Sequence, residues 1–241
     1  MALRVAAPPC CLDPGYGYVH GEMRIAFFDL DKTIISRNSA TLWIRFELAA
    51  RRITVRQALR ATAWLVRYSL GATDMTSQIR LTIASLAGQR EADLRERTQM
   101  FHAQHIRSLY RPGAIATIET HRRAGEHLVL LTSSSNYLAE EVCRDLRFDD
   151  YVCNRFEVDA SGRYTGRPIE PLCYGSGKVL LAERYVAARG LGLDRVTFYT
   201  DSHSDLPMLE AAGDPAVVHP DPRLRRLARQ RGWRTLDWGT P

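Results

Sequence analysis

The chain has 241 residues, is 45% hydrophobic and 25% charged, and holds 16 Gly and 11 Pro. Those values exclude a disordered chain, a collagen-like repeat and a coiled coil, and the length suits one core domain with room for an insertion. Thirty-three Lys and Arg against 27 Asp and Glu leave a net charge of +6, which favours phosphorylated metabolites, nucleic acid or a lipid surface without choosing among them.

Residues 1–22 contain Pro, Gly and Tyr without periodicity. Pro8 and Pro9 interrupt the apolar run that a secretory signal would need. This segment reads as a loose arm or as the product of an upstream start codon ahead of Met23. Five scattered cysteines form no CxxC pair, so neither a disulfide framework nor a zinc site is indicated, and a reduced, cytoplasmic setting is expected. No apolar run approaches the ~20 residues of a membrane-spanning helix, and no membrane partner is expected.

The first strand is predicted over 24–30, where Ile25, Ala26, Phe27 and Phe28 form the continuous apolar run of a strand covered on both faces. From 39 to 110 no strand pattern occurs. Three or four helices are expected there, with Met75, Ile79, Ile83 and Leu86 at helical spacing and Thr54 and Asp74 at N-cap positions. Arg111-Pro112-Gly113 punctuates the return. Strands at 127–131 and 195–199, with weaker candidates at 216–218 and 233–236, alternate with helices at 115–124, 137–146, 178–189, 206–212 and 223–231. That alternation implies a parallel, doubly wound α/β sheet.

Ligands of such a sheet bind beyond the carboxyl ends of its strands. Asp29-Leu30-Asp31-Lys32-Thr33 follows the first strand, Thr132-Ser133-Ser134-Ser135 the second and Thr200-Asp201-Ser202-His203-Ser204-Asp205 the third. Four carboxylates converging on one point repel unless a cation is present, and all-oxygen ligation suits Mg²⁺. Ser133 to Ser135 precede a helix, where phosphate contact and capping are both open. His203 stands between a place in the site and a solvent-facing loop. His102 and His105 lack a third ligand and read as structural or exposed, and Trp43, Phe46, Trp64 and Tyr68 read mainly as packing. The Arg-rich stretch 223–234 lacks an aromatic platform, so a solvated helix face is expected and no nucleic acid partner.

Taken together, Asp29-x-Asp31-x-Thr33, Thr132, Lys178 after Gly175-Ser176-Gly177, and Asp201-x-x-x-Asp205 resemble the four signatures of haloacid-dehalogenase-like (HAD) phosphatases, in the phosphoserine-phosphatase-like branch. The resemblance covers residue 24 to the C-terminus. It implies a Rossmann-like core from 23–36 and 111–241 and an all-helical cap over 37–110. It implies Asp29 as nucleophile and Asp31 as general acid and base. It further implies Mg²⁺ on the Asp29 carboxylate, the Asp31 backbone carbonyl and Asp201, with Asp205 and Thr33 in support, and Thr132, Ser133 and Lys178 on the phosphoryl oxygens. The expected partner is a small phosphorylated metabolite, hydrolysed through an aspartyl phosphate; the sequence is silent on oligomeric state. A phosphotransferase using the same residues is the first alternative. A signalling receiver is the second, disfavoured by the helical interval. Dedicated phosphoserine phosphatases carry an acidic residue shortly after the first signature. Here that distance holds the neutral Asn38, while Arg80 is a candidate carboxylate partner or a solvated charge.

Overall fold

The computed structural model of the chain describes residues 23–69 and 75–241. The expected arm 1–22, with Cys10 and Cys11, the expected N-cap Asp74 and the side chain of Tyr68 lie outside the described residues. Strand β1 (Ile25–Phe28) is central and wholly buried, hydrogen-bonded in parallel to β2 (His127–Ser135) on one side and β5 (Val196–Thr200) on the other. The seven strands among the described residues run in the order β4 (Tyr164–Ile169), β3 (Asp150–Val158), β2, β1, β5, β6 (Asp214–Val218) and β7 (Arg234–Leu236).

Successive strand residues point to opposite faces, and the two cores divide on that rule. Ala26, Phe28, Leu128 and Leu130 enter one hydrophobic cluster with Ile118, Val142 and Trp238. Ile25, Phe27, Val129 and Leu131 enter the other with Ala182, Val186 and Leu209. Helices α5 (Pro112–Arg123) and α6 (Asn136–Leu146) cover the first face, and α7 (Ser176–Ala187) and α8 (Leu206–Ala211) cover the second. The chain thus winds both ways from β1, which places a topological switch point at the carboxyl ends of β1, β2 and β5.

Two strands lay outside the expected pattern. Strand β3 (Asp150–Val158) is parallel to β2, and β4 (Tyr164–Ile169) returns antiparallel beside it. Their turn is tied by Asp159, whose Oδ1 accepts from the Ser161 and Arg163 amides. Strand β2 also continues four residues past its apolar run, because after a register shift Ser135 still pairs with Asn154.

Between β1 and α5 the described residues form four helices, α1 (Ser39–Ala49), α2 (Val55–Ser69), α3 (Met75–Ala84) and α4 (Glu91–Phe101), followed by a π turn (His102–Ile106) and a 3₁₀ turn (Arg107–Leu109). Thr54 and Gln57 form a reciprocal capping box at the start of α2. Trp43, Phe46 and Phe101 pack ring against ring. His102 is buried against Tyr110, whereas His105 is exposed. The interval leaves and re-enters the sheet at one place, where Ser36 N–H donates to Leu109 O (3.0 Å) and Arg111 N–H to Ile34 O (2.9 Å). It is also fastened to the β3–β4 hairpin: Gly88 N–H donates to Tyr164 O and Tyr164 N–H to Gln89 O.

Helix α9 (Pro222–Arg231) lies between β6 and β7 with its arginines exposed. Beyond β7, Trp238 is buried against Phe28 and Tyr199, and Gly113 N–H donates to its carbonyl. A Cβ at Gly113 would collide with Trp238. Cys143, Cys153 and Cys173 are buried free thiols. No helix among the described residues is long and apolar enough to cross a membrane.

Candidate active site

Beyond Phe28 the chain stays paired for one more residue, with Asp29 N–H donating to Tyr199 O (2.9 Å). It then curls: Thr33 and Ile35 both donate to Leu30 O, and Lys32 adopts φ +58°, a left-handed conformation that only local bonding sustains in a non-glycine residue. The curl turns the Asp29 side chain into the switch point and leaves Asp31 partly accessible at its rim.

Lys178 reaches the same point from the opposite face. It lies in the first turn of α7, which starts tightly because Gly175 takes φ +53° and Gly177 sits so close to Leu172 that a Cβ would strike the Leu172 carbonyl. The Lys178 ammonium, 1% exposed, donates to Asp29 Oδ1 (3.0 Å) and to Asp205 Oδ2 (2.9 Å). The Thr200 hydroxyl donates to the same Asp205 oxygen at 2.7 Å. Thr33 links the first and last motifs: its hydroxyl accepts from Asp201 N–H (3.0 Å) and lies 3.3 Å from Asp29 Oδ2.

Two carboxylates, Asp29 and Asp205, therefore share one buried ammonium, and Asp31 and Asp201 add their charge to the same place. Burial is the largest influence on Asp29 and pushes its carboxyl well above the ordinary value; Lys178 opposes this, and Asp205 and Asp31 add to it. Asp201 is raised strongly, again first by burial and then by Asp29. Asp31 is raised by burial, against hydrogen bonds from Ser39. Burial works against the charge of Lys178, but Asp205 and Asp29 outweigh it and hold the ammonium. A second buried cation, Arg111, lies in the field of Asp201 and donates to the Gly239 carbonyl.

Among the described residues no three Asp, Glu, His or Cys side chains converge closely enough to hold a metal ion alone. A cation here would take the Asp29 and Asp201 carboxylates with a backbone carbonyl and water. That hard, oxygen-only set fits Mg²⁺, which keeps several waters.

The other expected residues divide. Thr132 is buried at the end of β2, its hydroxyl accepting from Ser134 N–H (3.1 Å). The Ser133 hydroxyl donates to Cys173 O (2.7 Å), so it ties β2 to the loop before α7 and its proton is not free for phosphate. Ser135 caps α6. Asn38 caps α1, its Oδ1 accepting from the Thr41 amide and hydroxyl. Arg80 is half exposed and paired with Glu170 at 3.0 Å, a surface link between α3 and the segment after β4. His203 N–H bonds to Asp221.

Three participants carry no motif signal. Thr200 holds Asp205. Asn154 donates to Ser133 O and accepts from Cys173 N–H, bracing β2 against the loop before α7. Ser39 donates its amide to Asp31 Oδ1 at 2.6 Å. The position of Thr200 at a strand end could have flagged it; the other two act through pairings that sequence does not display.

Residues 26–210 match the family described as haloacid dehalogenase-like hydrolase. The chain is 27% identical over 218 residues to a histidinol-phosphatase of Neisseria meningitidis, spanning 89% of this chain and 98% of that one. It is 30% identical over 217 residues to phosphoserine phosphatase SerB1 of Mycobacterium tuberculosis, spanning 88% and 70%. Among solved structures, a Bordetella pertussis protein of unknown function superposes with a TM-score of 0.82 at 28% identity, covering 90% of this chain and all of that one. A phospho-aspartyl intermediate analogue of phosphoserine phosphatase shares the fold, with a TM-score of 0.64 at 16% identity.

Proposed function

The chain belongs to the haloacid dehalogenase-like hydrolases, in the phosphoserine-phosphatase-like branch, and from that premise we propose that this phosphatase works through an aspartyl phosphate on Asp29. The observation that carries the reading is the Lys178 ammonium bridging Asp29 and Asp205, with the Asp31 carboxyl two residues along the same curl.

Asp29 attacks phosphorus through one carboxylate oxygen; both are held, Oδ1 by the Lys178 ammonium and Oδ2 by the Thr33 hydroxyl, so the carboxylate is already aimed. Lys178 then faces the charge that grows on the phosphoryl oxygens, and its burial makes that interaction strong. Thr132 and the backbone amides beside Leu30 and Ser133 are the further donors. Asp31, at the rim, protonates the leaving oxygen and afterwards takes a proton from the attacking water. Thr33, Thr200 and Asp205 hold these groups in register. The Asp29 and Asp201 carboxylates and the Asp31 carbonyl would hold Mg²⁺, which when bound would supply positive charge against the repulsion between two anions that must meet. The helices over 37–110 serve as a cap that selects the substrate.

The substrate is a small phosphorylated metabolite. Two structural roles argue against dedicated phosphoserine hydrolysis. Asn38 is neutral and its oxygen is committed to α1, so it offers no charge to an ammonium group. Arg80 is already paired with Glu170, so it is no free partner for a carboxylate. Losing one charge-assisted bond costs about 1.5–3 kcal/mol, enough to lower a substrate well down a panel. We expect kcat/KM for phosphoserine to fall below that for the best member of a set including histidinol, sugar, nucleotide and lipid phosphates. Phosphoserine at the head of the panel would sink this reading.

The mechanism is tested with Asp29→Asn, whose amide cannot accept the phosphoryl group: phosphate release should vanish while the circular dichroism spectrum is kept. Near-wild-type turnover in that variant overturns it. Added alcohol acceptors in the same assay separate hydrolysis from transfer.

A further inference from the structure

Among the described residues, the helical interval reaches the Asp31 carboxyl through Ser39. Asn38 caps α1, so Ser39 is the first helical residue and its N–H has no acceptor inside the helix. That amide donates to Asp31 Oδ1 at 2.6 Å. The Ser39 hydroxyl lies 3.3 Å from Ser134 Oγ at the end of β2. Ser39 is 4% exposed, so little water competes for either bond.

A carboxylate at a partly accessible rim can turn about two side-chain torsions, whereas proton transfer needs it within about 2.6–3.2 Å of the leaving oxygen. The Ser39 amide removes that freedom by holding one oxygen, which leaves the other to exchange the proton. Because the donor belongs to α1 and the acceptor to the curl after β1, the aim of Asp31 depends on how the first turn of α1 is seated. Resting on the aspartyl-phosphate reading above, we infer that Ser39 is a positioning residue: its backbone amide aims Asp31 at the leaving group, so seating the cap and protonating the leaving group are one event.

A backbone donor can be removed here without breaking its helix. Proline lacks the N–H and is favoured at the first helical position. Asn38, at φ −85° and ψ 121°, already has the extended backbone that must precede a proline. The experiment compares kcat/KM of wild type, Ser39→Pro and Ser39→Ala on p-nitrophenyl, phenyl and glycerol phosphates, whose leaving groups need protonation to increasing degrees. Ser39→Pro should lose on the order of tenfold or more on glycerol phosphate and no more than about twofold on p-nitrophenyl phosphate, a fraction of the ~10²–10⁴ a general acid supplies. Ser39→Ala keeps the amide and loses the hydroxyl's contacts with Ser134 and Asp31, so its loss on glycerol phosphate should be several-fold smaller than that of Ser39→Pro. A loss by Ser39→Pro that is equal across the series, or no loss at all, overturns the inference and leaves Ser39 a packing residue.

Should Ser39→Pro lack the native circular dichroism spectrum, Asn38→Ala reads the same slope, because it frays the turn that presents the amide; a flat series in that variant overturns the inference equally. Asp29→Asn is assayed alongside. Its activity would sink the aspartyl-phosphate reading itself, whereas a dead Asp29→Asn with a flat Ser39→Pro series removes only the role of Ser39.

Discussion

Asp29 and Asp31 stand two residues apart, and burial raises both carboxyls, but their partners differ. Asp29 faces an ammonium, which favours its attacking, anionic form against that burial; Asp31 is at the rim, held by an amide. Environments that separate two carboxyl groups in this way assign them different roles. Asp31→Asn is expected to lower kcat/KM by ~10²–10⁴ on alkyl phosphates and much less on p-nitrophenyl phosphate; equal losses would exclude an acid role. Lys178→Met leaves Asp29 and Asp205 buried without their cation, and breaking such a pair costs ~3–5 kcal/mol. Urea unfolding at neutral pH should show that loss, and the deficit should shrink in acid as the carboxylates take protons. The carboxylates, Thr33 and Lys178 were legible in sequence because side-chain chemistry at strand ends and after glycines is written in residue type. The Ser39 amide was not, since every residue but proline has one and only the turn aims it. Ser133 shows the converse: its type suits phosphate, yet the Cys173 carbonyl claims its proton.

Lys178 arrives where it does because of how α7 begins. Gly177→Ala would push a methyl into the Leu172 carbonyl, so the first turn must shift. Overpacking of this kind costs ~1–3 kcal/mol, and we expect a lowered melting temperature together with a drop in kcat, since the displaced turn carries Lys178. A variant that melts early with kcat intact would separate the glycine from the site. The inner strands were readable from sequence because burial on both faces demands an unbroken apolar run, as in β1 and the first half of β2. Strands β3 and β4 were not, because they form an outer hairpin whose half-buried and exposed positions carry charged residues such as Arg155, Glu157 and Arg167 and break any apolar run. The Asp159–Gly162 turn was the signal available for them.

Across the whole molecule the dominant electrostatic fact is the crowding of acid groups at the sheet's switch point. Asp29 and Asp201 have folded values above the ordinary carboxylate value, so the native state binds protons more tightly than the unfolded chain. Stability of the metal-free protein from these groups is therefore greatest in acid and is lost as pH rises through their folded values. A cation competes with those protons. The rise in melting temperature produced by a fixed Mg²⁺ concentration should be larger at about pH 7.5 than at about pH 5; an equal rise at both would separate the metal from these carboxylates.

The central strand has a further consequence, for the order in which the molecule assembles. Every ladder bond of β1 goes to a strand about 100 or about 170 residues further along the chain, so its pairing waits for long loops to close. Helices α1 and α2 pack against each other, close in sequence, and can form early. A refolding experiment should then see tryptophan fluorescence from Trp43 and Trp64 settle before any catalytic activity returns, because the strand that presents Asp29 is among the last to find both of its partners.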